Sequence, residues 1–588
     1  MTIRTLVAVA TLYSAISVTA FAQLPPPPKE LTPDSNGVDL RTGNLTYRFT
    51  DLTIGPANEF GLSLERFMSE GVVRDSFSST YHLSNYSDGN WTEVATLGNS
   101  GGSLGLYTST PGIFVERGDS PRLQRQDGSI VDFGLFMWDQ NGTYGDYSSD
   151  SYRLATRVRF SNGVEWHFHY KVVQSAYFPN VRLRAVTTNT GYQIRFNYLS
   201  DLSPGSSGWL TRVSATAVNT SVEYCNPEVD SCTLTSNWPT VRYENRSSTN
   251  PITSDFIVTS PEGQVTTYRG VAPFNNSPGY YSISKGGLGE IARYTFKIIY
   301  TWCDAPGATL CSGGNTNRVS SFTNPFKTTS YSYPYNDARK EFLQINAIEQ
   351  DGGRQTLITQ GPIVSGLRRF INALGAESRF EYDKDSQLTT ATSPENSRTE
   401  WTRDVNGNVT EQRAYSKDGS RVLTFAWKFG LCRMGVPTCS KPETVTNAKG
   451  AITTFVNDPA HGGVTRQEEP AGRDGIRSVL RRSYVQRRAW LASSSGGYVQ
   501  SSTAIWLPYQ ERTCRTTATL GETCAGGAAD ETVTTYDYGP DNGTVGNNLL
   551  VRSSSTTAAG VTIRNCYGYD RFGNRIYETK PRSPAACY

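Results

Sequence analysis

The length, composition and charge of the chain exclude several classes of protein. It has 588 residues and a net charge of +3; 37% of its residues are apolar and 19% are charged, fewer of each than in an average globular domain. Such a small charge predicts binding neither to nucleic acid nor to an anionic membrane. The 33 tyrosines and 54 glycines favour short strands with many turns, so we predict an all-β protein.

The N-terminus has the features of a secretory signal peptide. Arg4 supplies the positive end, residues 6–18 the apolar segment, and Ala20-Phe21-Ala22 the small-residue cleavage site. We predict a signal peptide over residues 1–22 and a proline-rich linker over 23–34; a retained membrane anchor is the alternative. No later transmembrane segment is expected, because no apolar run approaches about 18 residues. The mature protein is therefore predicted to be exported: periplasmic, secreted or at the cell surface.

Residues 35–120 are predicted to form an N-terminal β-segment. Within it, Gly98-Asn-Ser100-Gly-Gly102 fits the glycine-flanked serine of several hydrolases, and His82 lies upstream. A nucleophilic serine of that kind needs a strand before it and a helix after it. Here the flanks are rich in glycine and serine, so the sequence favours a loop. We predict no catalytic residues and no enzymatic activity.

Two further segments contain candidate metal ligands, each with an ordinary structural alternative. Asp139, Asn141 and Asp146 have oxygen ligands at spacings similar to a calcium loop, although the same pattern is common in turns.

His167 and His169 are two residues apart in Trp166-His-Phe-His-Tyr170, so on a strand they face the same side and could bind zinc or copper with a third ligand. The alternative is a strand that packs its three aromatic residues inward. His461, by contrast, occupies a turn position in a repeat described below. We predict neither a metal nor a cofactor.

The ten cysteines follow one another in neighbouring pairs. An even count with local spacing favours disulfides in an exported protein, and free buried thiols are the alternative. The candidate pairs are Cys225 and Cys232, Cys303 and Cys311, Cys432 and Cys439, Cys514 and Cys524, and Cys566 and Cys587.

Three segments in the C-terminal half of the chain follow one template. They read Phe380-Glu-Tyr-Asp-Lys-Asp-Ser-Gln-Leu388, Trp401-Thr-Arg-Asp-Val-Asn-Gly-Asn-Val409 and Tyr567-Gly-Tyr-Asp-Arg-Phe-Gly-Asn-Arg575. In the first and third copies a proline, Pro394 or Pro581, follows the aspartate by 11 residues. A weaker copy begins at Phe455. Such recurrence predicts an array of small supersecondary units over residues 121–588.

Each unit reads as a β-hairpin. Residues at i and i+2 share one strand face, and Asp-x-x-Gly supplies a turn because glycine accepts positive φ. A lone hairpin is marginal in water, so neighbouring hairpins are expected to stack. The predicted structural residues of the motif are Tyr382, Asp383, Trp401, Asp404, Gly407, Tyr567, Tyr569, Asp570 and Gly573.

These residues resemble a known family. The stretch from Tyr567 to Pro581 resembles the YD repeat of RHS (rearrangement hot spot) proteins, and Gly37-Val-Asp-Leu-Arg-Thr-Gly-Asn-Leu-Thr-Tyr47 resembles the opening segment of secreted bacterial members. The resemblance implies a curved or spiral β-sheet that forms at least part of a hollow shell, often around a C-terminal toxin. The self-cleavage motif Asp-Pro-x-Gly-Leu expected of such shells is not in the sequence.

From these features we predict an exported or cell-surface RHS-type scaffold that encloses or presents a partner. The partner could be a protein cargo or a cell-surface glycan, and no nucleic acid is expected. Two alternatives stay open. The chain could be the shell portion of a polymorphic toxin whose cargo is encoded downstream, or a carbohydrate-binding adhesin whose aromatic rows stack on sugar rings.

Overall fold

Regular structure in this protein is almost entirely β-strand, as predicted. In the computed structural model every regular element among the described residues is a strand, apart from one 3-10 turn at Ala528–Asp530. The structure describes residues 34–38, 45, 47–69, 72–75, 77, 82–86, 90–95, 105–107, 114–116, 122–125, 127–139, 150–174, 179–199, 212–249, 252–271, 280–300, 315–332, 343–349, 354–359, 367–384, 387–473, 475–579 and 587.

The strands are numbered in chain order. The first group is β1 (Tyr47–Ile54), β2 (Leu62–Ser69), β3 (Val72–Asp75), β4 (His82–Tyr86), β5 (Asn90–Ala95), β6 (Gly105–Tyr107), β7 (Phe114–Glu116), β8 (Arg122–Gln124) and β9 (Ile130–Asp139). The second is β10 (Asp150–Arg159), β11 (Glu165–Gln174), β12 (Pro179–Thr188), β13 (Tyr192–Tyr198), β14 (Arg212–Asn219), β15 (Thr240–Thr249), β16 (Ile252–Thr259), β17 (Val265–Val271), β18 (Tyr280–Lys285), β19 (Gly289–Tyr300), β20 (Asn315–Thr323) and β21 (Thr328–Ser332).

The remaining strands include all copies of the repeat. They are β22 (Leu343–Glu349), β23 (Arg354–Thr359), β24 (Leu367–Ile371), β25 (Glu377–Tyr382), β26 (Leu388–Thr392), β27 (Arg398–Arg403), β28 (Val409–Tyr415), β29 (Val422–Phe429), β30 (Pro442–Thr446), β31 (Ile452–Asn457), β32 (Val464–Ala471) and β33 (Arg477–Arg487). The last are β34 (Trp490–Ala492), β35 (Tyr498–Gln500), β36 (Ile505–Cys514), β37 (Thr519–Leu520), β38 (Thr523–Cys524), β39 (Glu531–Asp537), β40 (Ser553–Ala558), β41 (Val561–Tyr569) and β42 (Arg575–Glu578).

Most strands belong to one long antiparallel sheet in which each strand pairs with the next along the chain. This order runs from β7 to β33 and continues through β36, β39, β40, β41 and β42. Strands β4 to β6 join it at β10, where β4 and β11 pair with successive parts of the same edge. Among the described strands, no strand pairing joins the two ends of this sheet. The predicted partial, curved sheet is confirmed.

Strands β1 to β3 form a separate sheet, here called the inner sheet, which packs on one side of the large sheet. Asp51 and Arg66 of the inner sheet form an ion pair of 3.0 Å, and both side chains are almost fully buried. Tyr243 of β15 donates to Asp51 (2.8 Å), and Arg66 donates to Tyr268 of β17 (3.0 Å). Because the partners belong to the large sheet, these polar bonds fix where the inner sheet sits.

The turn that precedes the inner sheet is anchored on the same side. Asn36 is buried, and its amide donates to the hydroxyl of Tyr331 in β21 (2.8 Å). The hydroxyl of Tyr294 in β19 donates to the carbonyl of Asn36 (2.6 Å). The turn and the inner sheet together therefore cover the side of the large sheet from about β13 to β21.

The large sheet also returns on itself. The backbone N–H of Trp506 donates to the carbonyl of Asn162 (2.8 Å), and the amide of Asn219 donates to the side chain of Asn547 (2.9 Å). Similar contacts join Thr503 to Glu165, Ala492 to Thr220 and Arg571 to Asn237. We call this set of contacts the seam. Three of its bonds join residues 328, 334 and 338 positions apart, so the sheet completes one circuit in about that length.

Candidate partner-binding face

The register of the paired strands shows which side chains of the repeat strands lie on the same side of the large sheet as the inner sheet. Tyr331, which contacts the turn at 34–38, lies opposite Ala347. The pairing of β22 with β23 places Leu357 on the same side, and Leu357 lies opposite Phe370. Because alternate residues of a strand point to the same side, Phe370 lies on the side of the sheet that carries the inner sheet.

That side continues across the repeat strands as a row of aromatic residues. The pairings of β24 to β31 keep Phe380, Trp401, Phe425, Trp427 and Phe455 on the side of Phe370. We call these six residues the aromatic row. It spans eight adjacent strands, or about 34 Å at the usual strand spacing.

The rings of the aromatic row are half-buried. Phe370 and Phe380 pack against the core beneath the inner sheet. Phe425 and Trp427 stack on each other with ring centroids 6.4 Å apart. The row therefore leads from the covered part of the sheet onto a part where the described residues leave the rings accessible.

The opposite side of the same strands carries charge pairs. Within single strands, Arg379 contacts Glu377 (2.7 Å), Arg398 contacts Glu400 (3.0 Å) and Arg413 contacts Glu411 (2.8 Å). A hydrogen bond from Arg369 lowers the pKa of Glu377 to about 2. Alternating acids and bases give a solvated outer side, whereas the aromatic side has the character of a contact surface.

The repeat-motif aspartates occupy equivalent turns. The backbone N–H of each one donates to a carbonyl four residues on, and its carboxylate accepts the N–H of that same residue. These residue pairs are Asp383 with Gln387, Asp404 with Asn408, and Asp570 with Asn574. Gly407 and Gly573 take φ of 78° and 89°, which a residue with a side chain adopts only at a cost.

In two copies the residue before the aspartate contacts the preceding hairpin. The guanidinium of Arg403 donates to the carbonyl of Leu388 (2.6 Å), and the hydroxyl of Tyr569 donates to the carbonyl of Val551 (2.8 Å). Tyr382 occupies the same position and pairs with Leu388 across β25 and β26. Tyr567 shares a hydrogen bond with Ser554 (2.9 Å). The motif side chains therefore tie one hairpin to the next.

The two candidate metal-binding histidines lie on one side of β11, but each has its own carboxylate. His167 is 3.1 Å from Glu165, whereas His169 contacts Glu228 and lies 2.9 Å from Thr187. Burial lowers the pKa of His169. On the other side of β11, Phe168 is buried, and Trp166 and Tyr170 pack against the same core.

The other candidate sites have mixed outcomes. Asn141, Asp146, Ser100, Cys303 and Cys311 lie outside the described residues, and of Asp139 the structure gives only its place at the end of β9. Disulfide bonds join four of the neighbouring pairs: Cys225–Cys232, Cys432–Cys439, Cys514–Cys524 and Cys566–Cys587. Such bonds fit an oxidising compartment outside the cytoplasm.

One group of three potential metal ligands occurs in the described part of the chain, and its chemistry does not suit a metal. It consists of Cys514, Cys524 and Asp530. The two sulfurs are joined in a disulfide, so no thiolate is available. Asp530 accepts hydrogen bonds from the hydroxyls of Thr517 and Thr516, which lower its pKa to about 2. This carboxylate fixes the loop that the disulfide closes.

Sequence reasoning missed two features of the structure. It did not connect Phe425 and Trp427 to the repeat aromatics, although their i, i+2 spacing on a strand is the same signal. It also missed the buried pair of Asp51 and Arg66. No local pattern marks that pair, because its surroundings come from strands far along the chain.

Comparison with known proteins gives little further information. No family model and no curated protein matches the chain. Among solved structures, a chain of the TcdB2-TccC3 crystal structure matches over 88% of this chain and 28% of its own length, with 11% identity and a TM-score of 0.30. A chain of the Photorhabdus luminescens Tc holotoxin pore with a TccC3 mutation matches over 79% and 26%, with 9% identity and a TM-score of 0.29.

This protein thus spans less than a third of the length of either of these two chains. TM-scores at this level do not establish a shared fold, so membership of the RHS family stays a prediction. In the part of the chain that the structure describes, no helix has the length and apolar character needed to cross a bilayer.

Proposed function

We propose that this chain is an exported scaffold of the RHS type whose aromatic row holds a protein partner. The observation that carries the proposal is the position of the row. It lies on the side of the sheet that already binds the inner sheet, and its rings are half-buried. A second polypeptide would bury them further at about 25 cal/mol per Å² of apolar surface.

The path of the sheet supports enclosure of that partner. Because most seam contacts join residues more than 300 positions apart, the intervening strands form a circuit. The inner sheet packs on one side of these strands, between about β13 and β21. The part lined by the aromatic row follows directly along the chain, so a partner there would extend the core that the inner sheet begins.

We further propose that the scaffold acts through contacts and not through catalysis. In support, His167 and His169 form separate hydrogen-bonded groups on one strand, and among the described residues they share no hydrogen-bond partner. Turnover of a hydrolase substrate by the purified protein, abolished by a single substitution, would contradict this part of the proposal.

Photo-crosslinking tests the proposed binding face. Benzoylphenylalanine would replace Trp401 or Trp427 in the full chain, expressed in its own host with the neighbouring genes present. Thr402 provides the matched control, because it is adjacent to Trp401 on β27 but points to the opposite, exposed side. We expect both tryptophan positions to give the same polypeptide adduct, identified by mass spectrometry, and the Thr402 position to give none.

The identity of the adduct separates the alternatives. A polypeptide encoded immediately downstream would indicate the shell of a polymorphic toxin, and a separate exported protein would indicate a free-standing scaffold. Equal adducts at Trp401 and Thr402, or no adduct at all, would refute the proposed face.

Carbohydrate binding is a second candidate, because half-buried tryptophans on a strand can stack on sugar rings. A glycan array with the full chain tests it. Binding that is lost in both Trp401→Ala and Trp427→Ala, together with a negative crosslinking result, would favour the adhesin over the protein scaffold.

A further inference from the structure

The Cys225–Cys232 disulfide lies against a buried guanidinium. This bond closes a loop between β14 and β15. The Nη1 atom of Arg195, in β13, lies 2.7 Å from the sulfur of Cys225 and 2.9 Å from the sulfur of Cys232. The same guanidinium donates to the carbonyls of Asn226 (3.0 Å) and Val229 (2.7 Å). One charged side chain therefore contacts both sulfurs and two carbonyls of the loop.

Arg195 forms no ion pair with a carboxylate of the described residues. It is 3% exposed, and its hydrogen bonds go to carbonyls and to sulfur. Burial lowers the pKa of Arg195, and the nearby Arg184 acts in the same direction, whereas Asp230 opposes them. A buried guanidinium is costly unless a negative charge pairs with it. The sulfurs of the closed disulfide are neutral, so they do not supply that charge.

Reduction of the disulfide would create a negative charge at this place. Cys225 is buried, and its sulfur has a second N–H donor besides Arg195, because the amide nitrogen of Gln193 lies 3.7 Å away. A neighbouring cation stabilises a thiolate over a thiol. A disulfide whose reduced form is stabilised is reduced more readily. The surroundings of Cys225 therefore favour opening of this disulfide.

The Cys514–Cys524 disulfide has the opposite surroundings. Both disulfides span 5.6 Å between Cα atoms, and each joins a buried cysteine to a half-buried one. Here, however, a carboxylate oxygen of Asp530 lies within 4.8 Å of both sulfurs. Hydrogen bonds lower the pKa of Asp530 to about 2, so the carboxylate is charged at neutral pH. It would repel a thiolate, which opposes reduction.

We propose that the Cys225–Cys232 disulfide is a reversible thiol–disulfide exchange site, which a dithiol opens while the Cys514–Cys524 disulfide stays closed. Cys232 is half-buried and Cys225 is buried, so a thiolate of the dithiol attacks the sulfur of Cys232. The S–S bond breaks, and its electron pair goes to Cys225, which becomes a thiolate beside Arg195.

The second thiol of the reductant completes the exchange. It loses its proton, attacks its own sulfur in the mixed disulfide, and releases Cys232. The reductant leaves as a cyclic disulfide, so two electrons have passed to the protein. Of the two protons of the dithiol, Cys232 takes up one and the solvent takes up the other. The same steps in reverse close the site.

Opening of this disulfide would release a loop that contacts two strands. Glu228 contacts His169 of β11, and Asp230 contacts Arg184 of β12 (3.0 Å). Both carboxylates lie between the two cysteines, so their positions depend on the closed loop. The site is independent of the aromatic row and of the protein partner proposed above.

Equilibration of the folded full chain with graded ratios of reduced to oxidised dithiothreitol tests the proposal. Alkylation traps the free thiols, and mass spectrometry of the peptides measures the reduced fraction of each disulfide. We expect the equilibrium constant for reduction to be about tenfold or more larger for Cys225–Cys232 than for Cys514–Cys524. An equal or smaller constant would overturn the proposal. This comparison is made within the parent protein, so it does not require any variant to fold.

Substitution of Arg195 tests the cause. Arg195→Gln keeps an N–H donor but removes the charge, and should lower the constant for Cys225–Cys232 by about tenfold. Arg195→Lys should recover most of that loss, because it restores a cation. Arg246→Gln is the control: this exposed arginine pairs with Glu244, so its loss should leave the constant unchanged. A constant in Arg195→Gln equal to that of the parent would refute the proposed cause.

The ionisation of Cys225 separates a stabilised thiolate from a loop that is only loosely closed. In Cys232→Ser this thiol stays free, and the ultraviolet absorbance of its thiolate reports the ionisation. We expect Cys225 to ionise at a lower pH than free cysteine, and the added Arg195→Gln to shift its ionisation to higher pH. Ionisation at or above the pH for free cysteine would refute the site.

Discussion

Single side chains in this protein often act by satisfying a backbone group of the preceding hairpin. Arg403 and Tyr569 do so from equivalent repeat positions, although one is charged and the other is aromatic. Both reach a carbonyl near the start of the previous strand. What the repeat requires at this position is a long side chain with a polar tip, and this explains why the motif tolerates arginine in place of tyrosine.

His461 shows how a repeat turn can become sensitive to pH. It is 3% exposed, and its ring lies 4.4 Å from that of Tyr484 and 4.5 Å from that of Trp506. Its Nδ1 accepts the N–H of Gly463 (3.0 Å). Burial lowers the pKa of His461, and the nearby Lys441 acts in the same direction, whereas Asp458 opposes them.

We predict that the protein loses stability as the pH falls below about 6.5, the value for an unfolded histidine. In that range the unfolded chain binds the proton that the folded protein resists, so unfolding becomes more favourable. Urea denaturation from pH 7.5 to 5.5 measures the slope. His461→Asn keeps an acceptor for Gly463 and should flatten it. A slope in His461→Asn equal to that of the parent would contradict the prediction. Some pH dependence should remain in this variant, because burial also lowers the pKa of His169.

At the scale of elements, the inner sheet is joined to the large sheet by a buried ion pair as well as by apolar packing. Arg66 lies over the rings of Phe49, Phe256 and Tyr268 and pairs with Asp51. Burial opposes its charge, but Asp51 and Tyr268 outweigh this and raise the pKa of Arg66. Removing either residue would therefore leave the charge of the other buried without its partner.

Asp51→Asn should lower the free energy of unfolding by about 3–5 kcal/mol, because it leaves the charge of Arg66 buried without its carboxylate. The double variant Asp51→Asn with Arg66→Met should recover most of that loss, since no unpaired charge remains. Chemical denaturation of the two variants and the parent measures both effects. A double variant less stable than the single one would show that the pair contributes more than charge compensation.

Hairpins and their turns were predictable from the sequence because their causes are local. Asp404 and Gly407 lie three residues apart and form the turn by themselves, and the spacing of Phe380 and Tyr382 gives their strand. The position of the inner sheet was not predictable. Asp51 accepts a hydrogen bond from Tyr243, which lies 192 residues further along the chain. No sequence pattern near either residue predicts that contact. Which side of the sheet a side chain lies on follows only from the register of every strand pair between it and the inner sheet.

For the whole molecule, the seam is the set of contacts that brings distant parts of the large sheet together into a circuit. Gly573 in the last repeat turn lies against Tyr192 in β13, and an added Cβ would stand 2.3 Å from the tyrosine oxygen. Gly375 has nearly the same positive φ, 79° against 89°, but no atom within 4 Å of its added Cβ. The two glycines thus differ in packing and not in backbone conformation.

Gly375→Ala should destabilise the protein by about 1–2 kcal/mol, the cost of a side chain in this conformation. Gly573→Ala should cost a further 1–3 kcal/mol or so, because it also overpacks the seam. The free energy of unfolding of each variant provides the comparison. Adding Tyr192→Phe should restore part of the extra loss, since it removes the nearest atom. Equal costs at the two glycines would mean that the seam does not form in solution.

The described disulfides join cysteines 7 to 21 positions apart, whereas most of the residue pairs that meet at the seam are over 300 positions apart. Covalent bonds therefore close the small loops, whereas the described contacts of the seam are all non-covalent. Such joints can part and re-form without reducing or cutting the chain. If the proposed partner is enclosed, it would then leave by reversible opening, at a rate set by the hydrogen bonds and the apolar packing of the seam.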